Sequence, residues 1–181
     1  MGLTGAEAAM ARFEDAIENT LALEGFGRVV QLRGDPGGLT KWGISQKSYP
    51  EVDIAGLTRE AAIELYYRDF WHILYGELTD QEVANELFDF GVNTSARGWP
   101  KVAVKVFQEA IRYLIVGPLI PDGDFGSKTL GAANSVSAKL LLREFRACEA
   151  YYYAEIVIRQ PDVSEEEKKR FLKGWMRRVM A

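Results

Sequence analysis

Glu24, Asp35 and Thr40 are the residues of this chain whose types and spacing could do chemistry. They share one stretch, EGFGRVVQLRGDPGGLTKWGIS, at residues 24–45. Cutting a glycosidic bond takes a protonated carboxyl beside the leaving oxygen. It also takes a second group that orients water or sets negative charge beside the sugar ring. Glu24 falls in the last turn of an expected helix, where the dipole presents partial negative charge. That dipole and the apolar neighbour Phe26 both disfavour ionisation, so this carboxyl would hold its proton. Asp35, in a polar glycine-rich turn, would stay ionised, and carboxyls in unlike surroundings separate acid from base. Thr40 could hold a water. On residue types alone, a solvated helix end before an ordinary Asp-Pro-Gly-Gly turn is the commoner meaning of such a segment.

Composition narrows the other chemistries. The 181 residues carry a net charge of −4, 48% hydrophobic and 27% charged residues, one cysteine and one histidine. That hydrophobic fraction suits a packed domain, or two small lobes sharing an interface. A nucleic-acid partner is not expected, because no basic stripe is present to neutralise phosphates. Cys148 cannot form an intramolecular disulfide, and a single histidine excludes multi-His zinc sites. Acid–base chemistry is left to carboxylates, with no metal or organic cofactor implied. The apolar runs fall far short of the ~20 residues a membrane span needs. The N-terminal stretch lacks a basic n-region and an apolar core, so synthesis in the cytoplasm without a signal peptide is expected.

The elements that must position these residues follow from patterning. Thr4 and Glu7 form a capping box before a helix whose apolar face is Met10, Phe13, Ile17 and Leu21, ending at Gly25 and Gly27. Residues 28–32 and 39–44 are expected to pair as a small hairpin across the turn at 34–38. That puts Thr40, Trp42 and Ile44 on one face of the return strand. Thr58 caps a helix with an aromatic face through Ile63, Tyr66, Tyr67, Phe70, Trp71 and Leu74. Thr79 and Glu82 cap the next, which stops at Gly91, leaving Asn93 and Thr94 in a polar loop. Pro100 opens another helix with Val102, Val106, Phe107, Ile111 and Leu114 inward. After a loop at 121–126, Ser127 caps a short helix. A long helix at 137–158 turns Leu141, Phe145, Cys148, Tyr152 and Ile156 to one side. Ser164 and Glu167 box the last helix, with Phe171, Leu172, Trp175 and Val179. The expected class is mainly α, six or seven helices and one hairpin.

The stretch Glu24-Gly25, then Asp35-Pro36-Gly37-Gly38-Leu39-Thr40-Lys41-Trp42-Gly43-Ile44-Ser45, resembles the signature of the family 108 glycoside hydrolases, bacterial and phage N-acetylmuramidases. Phe88-Asp89-Phe90-Gly91-Val92-Asn93-Thr94, Gln108, the run from Asp122 to Thr129, and Phe171-Leu172-Lys173-Gly174-Trp175-Met176-Arg177-Arg178-Val179 resemble the peptidoglycan-binding-type region that follows in that family. The likeness spans residues 13–179. The chain departs from the pattern in reading Glu-Gly-Phe-Gly where the family has adjacent glycines, and in a longer spacing from Glu24 to Asp35. The resemblance implies a lysozyme-like helical fold with a small hairpin lobe, a muramidase lobe at residues 1–92 and a helical peptidoglycan-binding-type region at 93–181, packed as one unit. It implies that Glu24 is the catalytic acid, with Asp35 and Thr40 assisting. Peptidoglycan glycan strands are the implied partner, met in the wall or periplasm by a monomer after holin-dependent export, as in a phage endolysin. A lytic transglycosylase and a non-catalytic wall-binding accessory of a phage or secretion system are the alternatives.

Trp42 could stack on a sugar face, though aromatic residues at such spacings more often pack a core. Asn93 and Thr94 could touch substrate or simply close a helix. His72 reads as a packed or surface side chain, and Cys148 as a small hydrophobe. Asp122-Gly123-Asp124 reads as a turn, because the distal glutamate of a calcium loop is missing.

Overall fold

The computed structural model describes residues 10–23, 38–95, 100–161 and 163–180. Glu24 and Asp35 lie outside them. So do the Thr4–Glu7 box, the strand expected at 28–32, and most of the turn at 34–38. The elements in order are α1 (Phe13–Leu23), β1 (Thr40–Lys41), β2 (Ile44–Ser45), α2 (Arg59–Phe70), a 3-10 helix (Ile73–Glu77), α3 (Gln81–Thr94), α4 (Lys101–Arg112), α5 (Ser127–Asn134), α6 (Ala138–Ile158) and α7 (Glu165–Val179).

Side-chain caps open α2, α3 and α7, whereas Ser127, expected as a cap, is instead the first residue of α5 after Gly126. The Thr58 hydroxyl accepts from Ala61 N at 3.2 Å to open α2, and Ser164 with Glu167 closes a full capping box on α7, both as the residues predict. At α3 the cap is one residue later than expected. Asp80 accepts from Val83 N at 3.0 Å, while Thr79 donates to Asn134 Oδ1 at the head of a different contact. A carboxylate at that end also suits the positive pole of the helix. In α1, Phe13, Ile17 and Leu21 pack inward. Met10 does not: it precedes the helix and is 60% exposed.

α3 is the central element, with α1, α2, α4 and α6 against it. It buries Val83, Ala84, Leu87, Phe88, Asp89, Phe90 and Gly91, so it is enclosed on nearly all sides. Phe88 faces a cluster with α1, β2 and α2 that includes Ile17, Leu21, Ile44, Tyr66 and Phe70. Phe90 faces a second cluster with α4 and α6, through Val104, Phe107, Ile111, Leu141 and Phe145. Gly91 does not stop α3, contrary to the expectation. A Cβ there would lie 3.0 Å from Pro100 Cβ, so the glycine lets the start of α4 sit against α3. The helix runs three residues further, to Thr94.

The long helix α6 matches its expected span and buries Leu141 and Phe145 as expected, but after Phe145 its inward face runs one residue later than Cys148, Tyr152 and Ile156. Leu141, Phe145, Glu149, Tyr153 and Val157 are buried, while Cys148 and Tyr152 are half-buried. The Asp122-Gly123-Asp124 segment is a turn tied down by one amide. Gln108 is 1% exposed, accepts from Gly123 N at 2.9 Å, and reaches Asp122 Oδ1 at 2.9 Å through its Nε2. Gly123 has φ of 84°, and a Cβ would lie 2.4 Å from Lys101 Cγ and 2.8 Å from Lys101 O. Gly123→Ala is therefore expected to destabilise the fold by about 1–3 kcal/mol, from left-handed strain plus the clash with α4. Urea unfolding checks it; a midpoint equal to wild type would contradict the geometry.

Candidate active site

The hairpin differs from its expected form. Residues 39–44 are not one strand: the chain turns at Trp42-Gly43 and pairs with itself, Thr40 with Ser45 and Lys41 with Ile44. Trp42 and Gly43 have φ of 55° and 76°, the doubly positive pattern of a tight two-residue hairpin turn. Thr40, Trp42 and Ile44 thus do not share one strand face. A bulky residue at positive φ is strained. Two contacts hold it: Tyr66 Oη donates to the Trp42 carbonyl at 2.9 Å, and the ring packs on the α1–α2 cluster. The indole N–H is buried without an acceptor among the described residues.

Asn93 and Thr94 are not in a loop but in the last turn of α3. Thr94 Oγ1 donates back to Phe90 O at 2.7 Å, and Asn93 Nδ2 to Asp89 O at 2.9 Å. Asn93 Nδ2 also lies 3.3 Å from Asp89 Oδ2, which links it to a cluster the residue pattern had not marked. Among the described residues, no hydrogen bond joins the hairpin pair to Asn93 or Thr94.

That cluster is the main polar construction between the helices. Asp89, on α3, takes a forked pair from Arg178 on α7: Nε to Oδ2 at 2.7 Å and Nη2 to Oδ1 at 2.8 Å. Its Oδ1 also accepts from Thr20 Oγ1 on α1 at 3.0 Å. Thr20 is fully buried, and the Asp89 and Arg178 side chains are 9% and 18% exposed. Two parallel charge-assisted bonds fix both partners in angle as well as distance. Three elements far apart in sequence meet on one carboxylate.

One turn before Asp89, Glu86 pairs with Arg146 Nε of α6 at 2.7 Å. Glu149, 2% exposed on α6, hydrogen-bonds Glu86. Burial, then the Glu86 charge, pushes the Glu149 carboxyl up to about 10, so it is the neutral donor of the pair. Burial raises Glu86 as well, against the pull of Arg146. Asn19, Glu82, Glu86, Asp89, Arg146 and Arg178 line a polar cavity of about 360 Å³ beside this network.

Two residues weighed on type alone prove structural. His72 caps the 3-10 helix, its Nδ1 accepting from Leu74 N at 3.2 Å, and packs on Tyr75 and Phe125. Burial lowers its pKa. Cys148 is half-buried, and burial followed by nearby glutamates pushes its thiol up to about 11. Asp89, Thr20 and Arg178 were the residues missed. The signals were present: a lone acid inside the apolar run Leu87-Phe88-Asp89-Phe90, and Arg178 within the closing motif.

Comparison with known proteins gives this arrangement its class. The structure of Brucella abortus SagA superposes with a TM-score of 0.67 over 93% of each chain, at 21% identity. The fold is accordingly mainly α and lysozyme-like, with one small hairpin. Residues 17–94 match the family model glycosyl hydrolase 108, and residues 102–180 match the predicted peptidoglycan domain. A comparison with curated proteins finds none that matches. The chain is a glycoside hydrolase, similar to the glycosyl hydrolase 108 family over residues 17–94 and to the predicted peptidoglycan domain over residues 102–180.

Proposed function

We propose that this glycosidase is a muramidase that hydrolyses the β-1,4 bond between N-acetylmuramic acid and N-acetylglucosamine in peptidoglycan, acting at the wall or in the periplasm. The observation that carries the reading is the union, in one chain, of a glycosyl hydrolase 108 region and a peptidoglycan-type region. Glu24, directly after the last residue of α1, is the general acid. Asp35 and Thr40 place water or offset the oxocarbenium-like charge, and Trp42, Asn93 and Thr94 contribute to glycan contact.

The test is turbidity loss of purified cell walls with mass spectrometry of the products. Wild type should clear walls and release fragments with reducing muramic ends. Glu24→Gln keeps the shape of the side chain but cannot donate the proton, and clearing should fall by about a hundredfold or more. Normal clearing by that variant would remove Glu24 from the role. Anhydro-muramic ends would instead make the enzyme a lytic transglycosylase, and wall binding without soluble fragments a binding accessory.

A further inference from the structure

The forked bond between Asp89 and Arg178 joins parts of the chain that the family matches assign to different regions. Asp89 lies within the glycosyl hydrolase match, and Arg178 within the peptidoglycan-type match. The same carboxylate holds Thr20, one turn from the last residue of α1. Phe13–Leu23 leads straight into Glu24 in sequence. A helix end held by side chain to a neighbouring helix, which is itself clamped by a guanidinium, loses rotational and axial freedom.

We propose that Arg178 and Asp89 are positioning residues, through which α7 of the peptidoglycan-type half fixes the terminal turn of α1, which Glu24 follows in the sequence, and that turnover depends on this tie. The C-terminal half is then a working part of the glycosidase and not only a wall-binding appendage. This rests on the proposed role of Glu24, but its mechanical part does not. Arg178 orients Asp89 through two bonds of 2.7 and 2.8 Å, and Asp89 holds Thr20 at 3.0 Å. Apolar packing of Ile17 and Leu21 with Phe88 already seats α1 on α3, and the clamp adds at Thr20 a directional bond that this packing does not supply. A lost bond there is answered by water and a looser helix end.

The experiment compares full-length wild type, Arg178→Gln, Arg178→Lys and Ser164→Ala. Ser164→Ala loosens the opposite end of α7 and touches neither Asp89 nor α1. Two readouts are taken, amide hydrogen exchange of residues 20–23 and the separate kcat and KM for wall fragments. Arg178→Gln should speed exchange at the end of α1 about tenfold and lower kcat about tenfold or more, with KM within about twofold. Arg178→Lys should recover part of both, and Ser164→Ala should change neither. If Arg178→Gln leaves exchange at 20–23 unchanged, the link to α1 is wrong. If exchange rises but kcat does not fall, the clamp is a structural tie and the positioning role is overturned. If Ser164→Ala mimics Arg178→Gln, general loosening explains both and the proposal also falls. Should Glu24→Gln remain active, the functional reading fails separately, and the exchange data still decide whether α7 fixes the end of α1.

Discussion

Asp89→Ala is expected to destabilise the protein by about 3–5 kcal/mol, because it takes two charge-assisted bonds from an enclosed guanidinium and one from a buried hydroxyl at once. Arg178 is only 18% exposed and straddles this carboxylate, and the Thr20 hydroxyl is fully buried with its bond to the same group. Both lose an acceptor at once, and an enclosed donor without one costs about 1–3 kcal/mol more. Asp89→Asn should cost less, since the amide oxygen can still accept from Thr20 or from one arm of the guanidinium. The pair need not be stabilising in net terms. A paired replacement, Asp89→Leu with Arg178→Met, could come close to wild type, because desolvating two charges offsets much of their attraction. Denaturant unfolding with an unchanged slope is the measurement. A loss under about 1 kcal/mol for Asp89→Ala would mean that water replaces the carboxylate freely and the cluster is not the fastening described here.

Glu149→Gln is expected to flatten the pH dependence of stability and to raise stability above neutrality. Glu149 is held near 10 in the folded protein by burial first and by Glu86 second, against an ordinary value of 4.5. A carboxyl raised on folding contributes fully below its unfolded value and loses that contribution as pH climbs toward the folded one. Between pH 5 and 9 the unfolded chain releases this proton and the folded one keeps it. Folding therefore weakens with rising pH, by on the order of 1 kcal/mol per unit for one proton. The groups facing Glu149 are Glu86 and Asp89 of α3, whose charges push the same way, and Arg146 of its own helix, which opposes them. Glutamine keeps the size and a donor for Glu86 but has no proton to lose in the unfolded state. Urea midpoints at pH 5 and pH 8 should differ clearly for wild type and much less for the variant. Parallel shifts in both proteins would place the proton elsewhere.

The helix plan was largely legible. Thr58 and the Ser164–Glu167 box announce α2 and α7, since a side-chain oxygen three residues ahead of a free N–H is a local arrangement that needs no tertiary help. The span of α6 was legible from its long apolar periodicity and not from a cap, since Ser137 makes no side-chain cap bond, and its face was legible only as far as Phe145. Adjacent residues on a helix differ by about 100°, and the triplet Tyr151-Tyr152-Tyr153 followed by Ile156-Val157-Ile158 offers several apolar stripes. Packing against α3 and α4 chose the stripe through Phe145 and Tyr153, and carried Glu149 inside with it. Gly91 misled because a glycine that ends a helix and one that admits a neighbour look alike in a list of residues.

The chain's own pattern of residues determined the chemistry on offer: carboxylates in place of histidine or thiol, a glycine-rich turn after a helix end, and motifs of a wall-directed glycosidase. Only the tertiary structure decided where the enclosed charges would meet. Asp89 and Arg178 stand 89 residues apart, and a carboxylate amid phenylalanines is tolerable only because the fold returns a guanidinium to it. That pairing depends on how α3 and α7 pack, a global property that no short window of residues encodes.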